Sequence, residues 1–328
     1  MRCVNDAIAT RTTRLLFWLK TLFRVLILAL VSWGIWRTVM EAQGKFAQQQ
    51  FSLRHVHVGW LAAAGVFYLL GMLPCGLFWH RTLLSMGQSP QLRHSLRAYY
   101  VSQLGKYVPG KALVVVMRAA LIRSRQVDTA VAVTSVFVET LTMMAVGAVV
   151  AAAILAVAFR EHQYLLLLAI AFATCAAAPT LPPVFPYVIR LLQVHRTSRH
   201  MDAAIRGLSF RLMLSGWTTV AAGWLLLGLS LWATLRAMPQ AAPRVEDLPL
   251  VTVCVALAVV AGFVSLLPAG IGVREIVVMR LLAPPFGQVA AIVSAVLLRL
   301  VWLAAELILA GILYAVVRPE RAAPDVAT

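Results

Sequence analysis

Lys106 and Lys111 bracket a Pro109–Gly110 pair in the string GKYVPGK, and Arg274 and Glu275 follow Pro268, Gly270 and Gly272 in PAGIGVRE. Proline and glycine at such points interrupt a helix and release backbone N–H groups from the helical ladder. Pro109 and Pro268 each suit the first turn of a following half-helix, where a missing N–H costs nothing. Freed N–H groups, the positive end of the helix dipole and a cation alongside make an anion site suited to a phosphodiester head group. A third set, Glu139, Arg299 and Glu306, lies inside long apolar runs, where each charge costs about 2.5 to 3.5 kcal/mol even on a lenient insertion scale. These residues therefore need partners or water. Arg299 and Glu306 are seven apart, on one helix face but about 10 Å apart along the axis. Glu139 shares a face with Ser135 and Thr142 and is expected to meet Arg299 across a helix interface.

Other chemistries fit the residues poorly. GKYVPGKA comes within one residue of a phosphate-binding loop, but Ala112 replaces the hydroxyl that would hold Mg²⁺ and Pro109 removes a backbone donor. Cys3, Cys75, Cys175 and Cys254 are scattered singly, without the close pairs of zinc sites or disulfide frameworks. His55 and His57 have no carboxylate cluster nearby and read as a solvated loop pair. No metal and no cofactor are expected. The net charge of +17 suggests nucleic acid at first, but the basic residues lie in short segments between apolar runs and not on one face of a domain.

The elements that must hold these residues follow from hydropathy. With 61% hydrophobic and 12% charged residues, against about a quarter charged in soluble domains, the chain is a polytopic membrane protein. Apolar runs at 22–40, 58–79, 130–158, 163–189, 210–235, 249–268 and 288–317 predict about seven spanning helices. The class is all-α, in a single transmembrane domain: a basic tail at 1–21, a membrane bundle at 22–317 and a short tail at 318–328. No small-x-small cleavage pattern follows the first apolar run, which reads as an uncleaved helix with Trp33, Trp36 and Arg37 as interfacial anchors. Arg and Lys in residues 1–24, 81–97 and 190–211 place those segments and the N-terminus in the cytoplasm by the positive-inside rule. The same rule favours a dip into the membrane and back for 98–122, whose two arms around Pro109–Gly110 are each too short to cross.

Residues 267–282, LPAGIGVREIVVMRLL, repeat the pattern of 108–121, VPGKALVVVMRAAL: a Pro and Gly break, a basic residue, then Val-Val-Met-Arg. Two broken re-entrant segments in corresponding places predict an internal, inverted repeat, and paired discontinuous helices are where transporters bind substrate. Small residues at spacings of four around Gly147 and Ala148 predict close helix packing in the third span.

The strings GKYVPGK, the Arg-Ala-Ala-Leu at 118–121 and PAGIGVRE resemble the signature segments of the flippase-like, lysylphosphatidylglycerol synthase transmembrane domain family, over nearly the whole chain. The resemblance implies a lipid translocation scaffold. The family's aminoacyl transferase is a soluble C-terminal domain; this chain stops shortly after its last span, so lipid synthesis is not expected and the protein reads as a non-enzyme. Where the family often shows Glu-Arg in the third span, this chain has Glu139-Thr140.

The expected function is translocation or handling of an anionic or zwitterionic phospholipid or a polyprenyl-phosphate in the inner membrane. Its head group would bind at Lys106, Pro109, Gly110, Lys111, Pro268, Gly270, Gly272, Arg274 and Glu275, with Glu139, Arg299 and Glu306 as an intramembrane charge network. Glu139 and Glu306 would receive an amine of the head group. The alternatives are a polyprenyl-phosphate-dependent transferase subunit and a nonenzymatic partner of another membrane complex. Lipid is the expected partner, and an oligomer or a membrane-protein partner stays open.

Overall fold

The computed structural model describes residues 56–107, 112–124, 126–158, 201–265 and 272–317, with Gly270, Leu167, Ile170, Thr174 and individual residues between 29 and 49. Nine α-helices are named here within that range. They are α1 (Val58–Ser85), α2 (Leu92–Ser102), α3 (Ala112–Ile122), α4 (Thr129–Ala158), α5 (Met201–Arg206), α6 (Phe210–Arg236), α7 (Leu248–Val264), α8 (Val273–Phe286) and α9 (Gln288–Val316). A 3-10 turn, Gln103–Tyr107, continues α2. The chain is all-α, and five of its helices are long and apolar enough to cross a membrane: α1, α4, α6, α7 with the turn before it, and α9. The other two predicted spans, 22–40 and 163–189, fall largely outside the described residues.

Each predicted break is followed by a helix of half length. At 1.5 Å per residue the 11 residues of α3 and the 14 of α8 reach about 16 and 21 Å, short of a hydrocarbon core of about 30 Å. α3 packs on α2 and α4, and α8 packs on α7 and α9. Local chemistry fixes the second hairpin. Gly272 adopts φ 84° and Gly287 φ 83°, backbone that side chains resist. Gly287 lets α9 begin one residue after α8 ends. α8 starts at Val273 with Gly272 as its N-cap.

Exchanging α1–α4 with α6–α9 reproduces the packing of the bundle. α1 packs on α4 and α6 on α9; α2 packs on α9 and α7 on α4; α1 packs on α9 and α6 on α4. The centre of this arrangement is the α1–α6 pair. Trp60 meets Trp232, Ala64 meets Ser230, Gly71 meets Gly223 and Phe78 meets Gly216, so the two helices run antiparallel along their length. A Cβ on Gly71 would sit 3.0 Å from the Gly223 carbonyl oxygen, and one on Gly223 would sit 2.6 Å from the Gly71 carbonyl oxygen. That reciprocity is the mark of a two-fold contact. Corresponding helices that run in opposite directions give the inverted relation that the sequence repeat predicts.

Gly147 packs against a side chain of the neighbouring helix. It lies beneath the indole of Trp224, whose Nε1 donates to the Met143 carbonyl at 3.0 Å. The small residue there makes room for a ring and not for a helix backbone; backbone approach occurs at Gly71–Gly223.

Candidate functional site

The two hairpins meet at a cavity of ≈ 390 Å³. Its walls are mostly apolar, with Met72, Met143, Met144, Leu227, Val259 and Phe263 among them, and Phe137 and Ala112 lie exposed at its rim. Three cations face it: Lys106 after α2, Arg118 on α3 and Arg274 on α8. A smaller space next to it is lined by Lys106, Tyr107, Arg274, Glu275, Arg299 and Trp302. Burying charge in such a place is costly unless each group is paired, so the partners decide what the site can do.

Arg118 is the most completely held. Its Nη1 donates to Glu139 Oε2 at 2.7 Å and its Nε to Ser102 Oγ at 3.0 Å. The guanidinium lies 4.4 Å from the Tyr99 ring centroid and 5.3 Å from that of Trp79, within cation–π range. Glu139 also accepts from Tyr99 Oη and from Thr140 Oγ1, each at 3.3 Å. Arg118 and Glu139 side chains are 2% and 3% exposed, which makes this a buried pair. The expected Glu139–Arg299 contact is therefore not formed. Arg118 sits one helix closer, and α4 turns Glu139 toward α2 and α3.

Lys106 and Tyr68 both donate to Glu306 Oε1, and Lys106 Nζ lies 3.1 Å from Tyr68 Oη. Tyr68 is held in place by stacking on Trp302, with centroids 4.5 Å apart. Trp302 Nε1 in turn donates to Ser230 Oγ, and Ser230 Oγ donates to the Ala64 carbonyl, so the α1–α6 seam fixes this corner of the cavity.

At the second break, Glu275 Oε2 accepts from the Gly272 N–H at 2.6 Å and Oε1 accepts from Arg299 Nη1 at 3.2 Å. Lys45 approaches Glu275 at 3.8 Å, and Glu41 approaches Arg299 at 3.9 Å. A carboxylate of the protein thus occupies the start of α8, where the sequence suggests open N–H donors for a ligand. Glu275 holds the break together. Arg274 has no ion pair among the described residues, and its Nε is buried without a hydrogen-bond partner. Gly262 and Gly270 make room for it: a Cβ on either would come within 2.7 or 2.9 Å of the Arg274 Nε. Gly270 also needs its φ of 68°, whereas Gly272 has open space around it and is constrained by backbone alone.

The structure thus brings Lys106, Gly270, Arg274, Glu275, Glu139, Arg299 and Glu306 to one region, and the expected sites Pro109, Gly110, Lys111 and Pro268 lie outside the described residues. Sequence reasoning missed Tyr68, Tyr99, Ser102 and Arg118 as site residues. Only Arg118 carried a signal, as a cation in an 11-residue apolar helix.

Residues 21–310 match the lysylphosphatidylglycerol synthase TM region, a match that covers most of the chain. The chain belongs to that family. Comparison with curated proteins returned no match. Family membership and five apolar helices make this a multi-pass membrane protein related to lipid. In this member of the family, the cations of both hairpins converge on one cavity.

Proposed function

We propose that the protein translocates a phospholipid or polyprenyl-phosphate across the cell membrane, with the head group in the cavity between the hairpins and the acyl or prenyl chains toward the bilayer. The observation that carries this reading is the cavity's construction: a cationic floor at Lys106, Arg118 and Arg274, apolar walls, and an exposed rim at Phe137. A head group needs the first and its hydrocarbon the second. The inverted repeat supports it, since alternating access in such transporters comes from moving one repeat against the other. The N-terminus is assigned to the cytoplasm and the turn at 237–247 to the outside, on the distribution of Arg and Lys.

A transferase is the second reading. Such enzymes need an acidic side chain free to act as base or metal ligand. Glu139, the acidic residue on the large cavity, is fully engaged by Arg118, Tyr99 and Thr140, which favours transport.

The test is translocation of a fluorescent head-group-labelled or tail-labelled phospholipid in proteoliposomes, read by bleaching of the outer leaflet. Wild-type protein should move the lipid faster than empty vesicles, and no acceleration for any phospholipid or polyprenyl-phosphate would overturn the reading. Chemical turnover of the lipid in the same vesicles would establish the transferase instead.

A further inference from the structure

We infer that the cavity selects a head group that carries net negative charge on phosphate and no amine, and that Arg274 is the residue that imposes this choice. The inference rests on the lipid reading above and narrows it, against the zwitterionic and aminoacylated lipids that the sequence left open.

Charge around the site does not balance. Four cations, Lys106, Arg118, Arg274 and Arg299, line the two connected spaces or their shared wall. Three carboxylates stand among them, and each is taken by the protein: Glu139 by Arg118, Glu275 by Arg299 and Glu306 by Lys106. Adding the neighbouring Glu41 and Lys45 brings one charge of each sign. Among the described residues Arg274 is left without a counter-ion. Its Nε is buried with no acceptor, and so are Nε and Nη2 of Arg299 on the same space. Buried donors without acceptors are costly, and an oxyanion with several acceptor oxygens at that point would satisfy them together.

An amine finds the opposite situation. Both oxygens of Glu139 and both oxygens of Glu275 already accept hydrogen bonds. Glu306 Oε2 has no partner, but Glu306 reaches neither space; Lys106 and Tyr68, which hold its other oxygen, form the wall there. A cationic group entering the site would meet Arg274 and no open carboxylate. Like-charge contact of this kind disfavours the wrong partner.

The experiment is calorimetric titration of the whole protein in a neutral detergent with dioctanoyl phosphatidylglycerol, dioctanoyl phosphatidylcholine, dioctanoyl phosphatidylethanolamine, a dioctanoyl trimethylammonium lipid and inorganic phosphate. Phosphatidylglycerol should bind at least about 10-fold more tightly than the two zwitterionic lipids, which offer the same phosphate to Arg274 but bring a cationic nitrogen into a site with no open carboxylate among the described residues. The cationic lipid should bind least. Arg274→Gln should erase the difference, and Arg274→Lys should keep part of it. Arg280→Gln, an exposed residue on the same helix, should keep all of it. Equal affinities, tighter binding of an amine-bearing lipid, unchanged preference in Arg274→Gln or no binding of phosphatidylglycerol would each overturn the inference. Binding of inorganic phosphate that depends on Arg274, with no lipid bound, would make this a free-anion site and overturn the lipid assignment. The vesicle assay separates the two claims: transport without head-group preference sinks this inference alone, whereas preference without transport sinks the transport reading alone.

Discussion

The two hairpins occupy corresponding places in the repeat, yet they handle charge in opposite ways. In the first, Arg118 is enclosed by Glu139, Ser102, Tyr99 and Trp79, with no unsatisfied atom recorded on it. In the second, the carboxylate next to Arg274 turns away, caps Gly272 and takes Arg299, while Arg274 lines the cavity with no ion pair among the described residues and a buried Nε that has no hydrogen-bond partner. A duplicated scaffold has used one copy's arginine to fasten helices and the other's to leave a charge available. In the sequence repeat Arg118 aligns with the exposed Arg280, and Arg274 corresponds to Lys111 as the basic residue after the break, so the two copies place these arginines at different positions along the half-helix.

Stability measurements can break this contrast. The largest effect should come from the first hairpin: Glu139→Gln or Arg118→Gln leaves a buried charge alone, at a cost of about 3 to 5 kcal/mol, seen as lost folded yield and a lower Tm in detergent. The double substitution should recover part of that loss. Glu139→Gln combined with Arg299→Gln should instead give additive losses, because the two residues belong to separate pairs. Coupling between them would show that the network is wrongly drawn.

Next in size is the seam that relates the hairpins. Gly223→Ala puts a methyl against the Gly71 carbonyl and should cost about 1 to 3 kcal/mol by overpacking. Gly71→Ala, with slightly more room, should cost less. The order of the two Tm values checks this.

Glu275→Gln sharpens the comparison. It should cost less than the loss of a helix cap, which is worth about 0.5 to 2 kcal/mol, because the neutral amide still reaches the Gly272 N–H. At the same time it releases Arg299 and should tighten binding of an anionic lipid. Weaker anion binding in this variant would mean that Glu275 serves the ligand directly. Smallest of all is the loss in Arg274→Gln, which removes a buried donor without an acceptor and should leave Tm unchanged or raise it. A loss comparable to that of Arg118→Gln would erase the difference between the hairpins.

Much of this arrangement is readable from the chain. Span length and apolarity mark the five long helices, and Pro109–Gly110 and the Gly270–Gly272 turn mark both breaks, because backbone chemistry is local. Partner choice is not local. Whether Glu139 meets Arg118 or Arg299 depends on the rotation of α4 about its axis and on which neighbours lie beside it, and both follow from packing of residues far apart in sequence. Tyr68 and Tyr99 are further examples. In an apolar helix a tyrosine looks like packing until a buried carboxylate is found within reach of its hydroxyl. The role of Glu275 as a cap was open to inference, since an acidic residue three positions after a glycine N-cap is a common helix start.

The α1–α6 seam has a mechanical consequence. The pair is joined near one end by the His57 N–H on the Ala237 carbonyl at 2.9 Å, at mid-length by the glycine crossing, and near the other end where Gly207 abuts the Ser85 carbonyl. Three contacts along two rigid rods leave little freedom to slide or splay. Because α1 belongs to one repeat and α6 to the other, the seam is the axis about which one repeat would turn against the other, with Arg118 held to its own repeat by Glu139, Ser102 and Tyr99.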